Sequence, residues 1–341
     1  MREGVNPVKE NPDLEAYGVH RVILPVYIPN QEGYYRYSLD VLRCCLSSLW
    51  YTSRGQVAVT VVANGCCSSV LAKLREWEED GWIDQLVINR FNRGKVDSVV
   101  GAVKGVFEPL VTVSDADILF LPGWMEATWD IFKRFPEVGC VSPLALPHLH
   151  WHYTSSVVVG ALARRELGYR KVLDDEDIDR FAMSTGNPAF CKPEMKVAQL
   201  VVTRGGKVVA VGATHCVFTM RRELTACLPD TPALVGLGKE NEYLDMPLDQ
   251  AGAWRVSTVP SYAAHIGNVP DAWVQSELEK MADAHAIPNG TPLMFPPLRR
   301  HWTSRIPYRL RQRIAGCVRR AVLWKRQRLM RTWPQGEGLK M

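Results

Sequence analysis

Apolar residues recur along this chain in two alternating rhythms. Residues 20–28, His20-Arg21-Val22-Ile23-Leu24-Pro25-Val26-Tyr27-Ile28, form the near-continuous run expected of a strand buried on both faces of a parallel sheet. Leu39, Leu42, Leu46 and Leu49 then fall at three- and four-residue steps, which predicts a helix from about Tyr37 to Trp50. Val57 to Val62 is a second β-branched strand, stopped by Asn64-Gly65. Ser68 or Ser69 can cap a helix running to about Asp80. Leu86-Val87-Ile88 is a short third strand, and Asn92-Arg93-Gly94-Lys95 leads into a helix through about Gly105. Leu110 to Val113 is a fourth strand. This alternation predicts an α/β fold with right-handed βαβ units in an open sheet.

The rhythm loosens in the second half. Gly123 to Phe135 reads as a helix and Val138 to Leu144 as a strand. Val197–Val202 and Lys207–Val211 flank Arg204-Gly205-Gly206 as a hairpin. Gly236 to Ala251 is expected to be helical and carries Glu240, Glu242, Asp245 and Asp249; Trp254 to Val259 reads as a strand leading to Ala264-His265. Residues 147–200 have little periodicity. Their acidic run, Asp174 to Asp179, reads as a solvated helix start.

The fourth strand closes on Ser114-Asp115-Ala116-Asp117. Two carboxylates one residue apart, where a buried strand breaks into a turn, are costly unless something neutralises them. A divalent cation bridging a diphosphate would do so, because Mg²⁺ and Mn²⁺ favour hard oxygen ligands; a solvated Asp-rich turn is the plainer alternative. Ligands of open α/β sheets sit beyond the carboxyl ends of the strands. Tyr27, Asn64, Asn92 to Lys95 and Asp115 to Asp117 all fall at such ends.

The order of motifs resembles that of the family 2 inverting glycosyltransferases with the GT-A fold. The residues that carry the resemblance are Leu24-Pro25-Val26-Tyr27, Asn92-Arg93-Gly94-Lys95, Ser114-Asp115-Ala116-Asp117, Gly238-Lys239-Glu240-Asn241-Glu242-Tyr243-Leu244, Ala251-Gly252-Ala253-Trp254 and Ala264-His265-Ile266-Gly267. They span roughly residues 20–268; each is short, and their order and spacing make the set specific. The resemblance implies a Rossmann-like open mixed sheet flanked by helices, on which a nucleoside-diphosphate sugar lies across the first strands. Pro25, Tyr27 and Asn64 would line the base and ribose, Lys95 would lie near the ribose or phosphates, and Asp115, Ala116 and Asp117 would border the diphosphate. Asp117 is the expected direct ligand of Mn²⁺ or Mg²⁺, with Asp115 beside it and His265 completing the metal site.

Two departures from that family stand out. Its usual Glu-Asp pair, whose aspartate is commonly the base, reads Glu240-Asn241 here, and an amide cannot take the acceptor's proton. The role then passes to Glu240, with Glu242 and Asp245 as alternatives. The family's acid after the second strand is replaced by Ala63-Asn64, which leaves the nucleotide open between UDP, the first choice, and GDP. The expected partners are a nucleoside-diphosphate sugar and a glycan or glycolipid acceptor. Asn241 also supports a rival reading, a non-catalytic sugar-nucleotide-binding protein that keeps the fold. Nucleotidyl transfer and dinucleotide redox chemistry both lack their glycine-rich loop, which Pro29 to Gly33 does not supply.

Composition changes the picture in one place. At 341 residues, 47% hydrophobic and 23% charged, the chain suits one large domain with an appended segment. The expected divisions are a polar tail at 1–18, a catalytic domain at 19–290 split near 125, and a basic helical extension at 291–341. The net charge of +5 hides an asymmetry: residues 299–331 hold twelve Lys or Arg and no acid, while residues 1–298 carry 28 bases against 35 acids. In that tail Leu310, Ile314, Cys317, Ala321 and Trp324 form an apolar stripe among Arg311, Arg313, Arg319, Arg320, Lys325 and Arg326. Such a helix can lie on an anionic membrane or dock by its stripe onto the catalytic domain; nucleic acid is disfavoured, because apart from Trp324 nothing aromatic is interleaved for stacking. No apolar run is long enough to span a bilayer, and the polar start lacks the pattern of a signal peptide, so the cytosol is expected, with the inner membrane face as a peripheral site. Nine cysteines without a Cys-x-x-Cys point to small core residues rather than disulfides or zinc. His148-x-His150-x-His152 would place three imidazoles on one face of a strand as metal ligands, but Pro147 and the neighbouring aromatics equally suit a loop over an acceptor groove.

Overall fold

The computed structural model describes Gly4 and residues 18–188, 190–234, 238–283 and 295–332. Most of the expected polar tail, the start of the predicted helix at Gly236, and residues 284–294 and 333–341 lie outside these. In chain order the elements are β1 (His20–Val26), α1 (Ser38–Ser53), β2 (Ala58–Asn64), α2 (Ser68–Glu79), β3 (Gln85–Asn89), α3 (Lys95–Val103), β4 (Leu110–Ser114), β5 (Ile118–Phe120) and α4 (Trp124–Arg134). Then follow β6 (Val138–Ser142), α5 (Ser155–Ala163), β7 (Leu167–Arg170), α6 (Asp175–Ser184), β8 (Gln199–Arg204), β9 (Lys207–Val211) and β10 (Val217–Arg221). A π-turn at Asn241–Asp245 continues into α7 (Met246–Gln250), before β11 (Trp254–Ser257), β12 (Ala263–His265), α8 (Ala272–Asp283) and α9 (Tyr308–Thr332).

The expected α/β architecture, an open mixed sheet flanked by helices, is what the chain adopts. Ten strands lie in the order β3-β2-β1-β4-β10-β6-β11-β9-β8-β7, so strands from both sides of residue 125 share one sheet. β3, β2, β1 and β4 run parallel, as the βαβ rhythm predicts. β10, placed between β4 and β6, runs against both. Val22, Leu24, Val61 and Leu110 pack on one face with Leu42, Leu46 and Phe132, while Ile23, Val62, Val111 and Val113 pack on the other with Val99 and Leu224. Burial on both faces is why these strands read as unbroken apolar runs.

Two predicted elements differ. The helix expected to Ala251 is not a uniform α-helix: its ladder widens into the π-turn just before Pro247, which has no N–H to offer the preceding turn. The tail is helical and docks, but not by the predicted stripe. Ala315, Val318 and Val322 pack against the main core, and the fully buried Arg311 donates to Ser156 Oγ and to the Gln250 carbonyl (2.9 Å). Leu310, Cys317, Ala321 and Trp324 stay exposed. Among the described residues no helix is long and apolar enough to cross a membrane.

Candidate active site

Asp115, Ala116 and Asp117 form the turn between β4 and β5. Two backbone contacts fix it. The Asp115 N–H donates to the Cys216 carbonyl (2.7 Å), and the Ile266 N–H donates to the Asp117 carbonyl (2.7 Å). The second contact continues a short antiparallel pair in which His265 of β12 lies opposite Ile118 of β5. This register sets His265 Nε2 3.3 Å from Asp117 Oδ2, while Nδ1 lies 2.9 Å from Ser184 Oγ. Burial alone would pull the His265 pKa down; the Asp117 carboxylate more than offsets it, and the pKa lies above its ordinary value.

Asp117 Oδ1 is buried and accepts no hydrogen bond. Buried carboxylate oxygens are rarely left so, because the lost solvation must be recovered by a partner. An orphaned oxygen beside an imidazole nitrogen fits a Mn²⁺ or Mg²⁺ ion. Among the described residues no three His, Cys, Asp or Glu side chains converge to close a cage. Two protein ligands suffice for an ion whose other positions are taken by phosphate and water.

Lys95, at the first turn of α3, forms an ion pair with Asp115. Burial alone would lower the Lys95 pKa, but Asp115 raises it further, so the ammonium stays charged. Burial pushes the Asp115 carboxyl above its ordinary value, Lys95 pulls it back, and the charge of Asp117 adds to the rise. The loop that delivers Lys95 is held by Asn64. Its amide donates to Asn92 Oδ1 (2.8 Å) and its oxygen accepts from the Arg93 N–H (2.9 Å). Asn64 is therefore buried under this loop and shapes it. Gly65 allows the close approach, since a Cβ there would sit 2.8 Å from the Asn92 nitrogen.

The second cluster is built on the π-turn. Asp245 is buried and ion-paired through Oδ1 to the buried Arg255 of β11, while Oδ2 lies 3.2 Å from His215 Nδ1. Arg255 also donates to the His152 carbonyl (2.9 Å) and the Ala213 carbonyl (2.7 Å). Removing one partner of a buried pair leaves the other charge uncompensated, at about 3–5 kcal/mol. Arg255→Ala is accordingly expected to lower the melting temperature by roughly 10 °C, at about 2–4 °C per kcal/mol for a chain of this size class. Calorimetry checks this; an unchanged melting point would show that the pair contributes nothing to stability.

The structure thus brings Lys95, Asp115, Asp117 and His265 together at the carboxyl end of β4, with Glu240 close enough to Lys95 to stabilise its charge. Tyr27 stands exposed just past β1, edge-on to Tyr35 at 5.8 Å, and Pro25 is half-buried within the strand. Ala116 packs its methyl against the core. Glu242 turns outward and pairs with Lys239 (2.8 Å). The His148 segment is a turn of 3₁₀ helix, so its three imidazoles do not share a face as strand geometry would require; His150 points inward. Trp151, His152, Tyr153, Asn241, Glu242 and Gln312 line a cavity of about 360 Å³ beside the π-turn. His215 is the functional candidate that pattern reading passes over: it sits between two strands, outside any motif.

No family model and no curated protein sequence matches the chain. Solved structures similar to it include the mannosyltransferase PcManGT from Pyrobaculum calidifontis in complex with GDP-Man and Mn²⁺, 17% identical over 93% of this chain and 79% of that one, with a TM-score of 0.42. S. aureus TarS 1–349 is 12% identical over 72% of this chain and 59% of its own, with a TM-score of 0.41. GalNAc-T7 with UDP, GalNAc and Mn²⁺ is 12% identical over 72% of this chain and 43% of its own, with a TM-score of 0.44.

Proposed function

We propose that the chain is a metal-dependent, inverting GT-A glycosyltransferase that moves a sugar from a nucleoside diphosphate, UDP before GDP, to a hydroxyl of a glycan or glycolipid. The observation that carries this reading is the unpartnered buried Oδ1 of Asp117, whose other oxygen faces His265, beside the Lys95–Asp115 pair. In this reading Asp117 and His265 hold Mn²⁺ or Mg²⁺, which when bound supplies positive charge against the departing diphosphate. Lys95 provides a second, permanent positive charge on the same side. Tyr27 and the half-buried Pro25 border the nucleoside, and the Ser114–Asp117 turn places donor phosphate at the carboxyl end of the sheet. Trp151, Tyr153 and the polar side chains beside them line the cavity we assign to the acceptor. Transfer in a single displacement from the opposite face inverts the anomeric centre.

Calorimetric titration of UDP and GDP, each with and without Mn²⁺, tests the donor site. Metal-dependent binding of one nucleotide is expected, and no binding of either by folded protein would reject the reading. Asn241, which cannot act as a base, supports the non-catalytic alternative; nucleotide binding without turnover of any sugar donor would favour it.

We also assign residues 299–331 to an anionic membrane face. The observation is the exposed stripe: Leu310 and Trp324 are 47% and 60% accessible and are flanked by arginines, while the helix is already anchored by its other side. Each base near an anionic surface contributes about 1 kcal/mol. Neutralising Arg313, Arg320 and Lys325 together is expected to weaken binding to phosphatidylserine vesicles by roughly a hundredfold at low salt, at about 1.4 kcal/mol per tenfold. Flotation measures this, and wild-type protein that fails to float at low salt would reject the membrane face.

A further inference from the structure

Inverting transfer needs a proton acceptor opposite the diphosphate, and the chain carries Asn241 at the position where the sequence leads one to look for it. We propose that His215 is the general base, with Asp245 as the residue that positions it. This deepens the glycosyltransferase reading and rests on it. Three observations converge. His215 Nδ1 lies 3.2 Å from Asp245 Oδ2, so the Nδ1–H donates to the carboxylate and Nε2 is left with its lone pair. Asp245 is itself immobile: it is 4% accessible and locked by Arg255, whose guanidinium is further tied to three backbone carbonyls. His215 is the open member of the pair, at 28% accessibility.

Its place in the chain sets it beside the donor turn. The next residue, Cys216, accepts the Asp115 N–H, so the His215 backbone runs alongside the turn that carries the aspartates. Arg255, which holds Asp245, also donates to the carbonyls of His152 and Tyr153, and both residues line the cavity with Trp151 and Asn241. His215 thus neighbours the donor turn through the chain and the cavity assigned to the acceptor through Asp245 and Arg255. Of the carboxylates, Glu242 lines the same cavity but is engaged by Lys239 (2.8 Å), whereas His215 is held by a buried partner that fixes its ring.

The step balances as follows. The acceptor O–H gives its proton to His215 Nε2 as its oxygen forms a bond to the anomeric carbon. The bond from that carbon to the diphosphate oxygen breaks, and its electron pair leaves on the nucleoside diphosphate. The imidazolium formed is stabilised by the Asp245 carboxylate until the proton passes to solvent.

The test compares nucleoside-diphosphate release by the full chain with Mn²⁺, from UDP-glucose, UDP-N-acetylglucosamine and GDP-mannose, using aryl glycosides as acceptors. His215→Ala is expected to slow release by about 10²- to 10⁴-fold, the usual contribution of a general base, with nucleotide affinity unchanged and activity partly restored by free imidazole. Asp245→Asn should slow the wild type but add nothing in the His215→Ala background, a dependence that a merely structural Asp245 would not show. Wild-type release by His215→Ala, or loss confined to Glu240→Gln, would overturn the assignment while leaving the glycosyltransferase reading intact. Wild-type protein that binds nucleotide but turns over no donor would also overturn it. Failure to bind nucleotide at all would instead bring down the reading beneath it.

Discussion

Asp117→Ala is expected to abolish Mn²⁺-dependent nucleotide binding and to lower turnover by about a thousandfold. The magnitude follows from the several kcal/mol that a bound metal contributes to charge stabilisation in the transition state, at about 1.36 kcal/mol per tenfold in rate. The substitution removes Oδ2, which faces His265 Nε2, and the buried Oδ1 that nothing else satisfies. It should leave the fold intact, because loss of the unpartnered buried acceptor offsets loss of the contact with His265. Asp117→Ala protein with an unchanged melting temperature and no metal-dependent nucleotide binding is the expected pair of results. Wild-type affinity in the variant would reduce the two aspartates to a polar turn. Asp115→Asn is a sharper companion: it breaks the ion pair with the half-buried Lys95, so it should destabilise as well as inactivate.

The sequence makes the first half of the sheet legible because its physics is local. β1, β2 and β4 are buried on both faces, so each reads as an apolar run, and the turn chemistry between them is carried by Asn64-Gly65 and Asn92 to Gly94. What escapes is structure stabilised by distant partners. β10 contains Thr219 and Arg221, which break its apolar pattern, yet both are buried. Thr219 lies 2.6 Å from Thr112, and Arg221 donates to the carbonyls of Val138, Phe132 and Pro296. Those partners are 75 or more positions away, so no window along the chain contains them. The short β5 and β12 have too few residues to show a period, although they bring Asp117 to His265.

The same distinction separates the candidate site into readable and unreadable parts. Asp115, Asp117 and Lys95 could be named because carboxylates and a lysine at strand ends are chemically conspicuous. Asn64 could be named but not interpreted, since its role depends on which way the amide points. His215 had no local signal; only the buried Asp245–Arg255 pair behind it marks it out. In α9 the stripe that looks most apolar in sequence stays outside, while Arg311 goes in, because Ser156 and the Gln250 carbonyl meet its guanidinium. A buried charge with partners defeats a count of apolar residues.

Acid should unfold this protein through its buried histidines, and the expected loss is large. His20 is fully buried, accepts from Trp129 Nε1–H (3.1 Å) through Nδ1, and lies 2.6 Å from Thr112 Oγ1 through Nε2. His150 accepts the Leu200 N–H (3.3 Å), and its Nε2 is buried without a partner. Burial lowers both pKa values to about 3, and that of His148 to about 4. In the unfolded chain each would titrate near 6.5. As pH falls below that value the unfolded state takes up protons that the folded state refuses, so stability drops until the folded pKa is reached. For His20 and His150 together the loss between pH 6.5 and 4.5 is roughly 5 kcal/mol, at about 1.36 kcal/mol per unit per group. His265, whose folded pKa is raised, works in the opposite direction: its contribution is full below the unfolded value and is lost as pH rises through the folded one. Denaturant titrations at pH 7 and pH 5 measure the balance. The midpoint is expected to fall steeply at the lower pH, and His20→Gln should flatten the dependence by about 1.4 kcal/mol per unit. A midpoint that does not move between those pH values would show that these imidazoles are already charged in the folded protein.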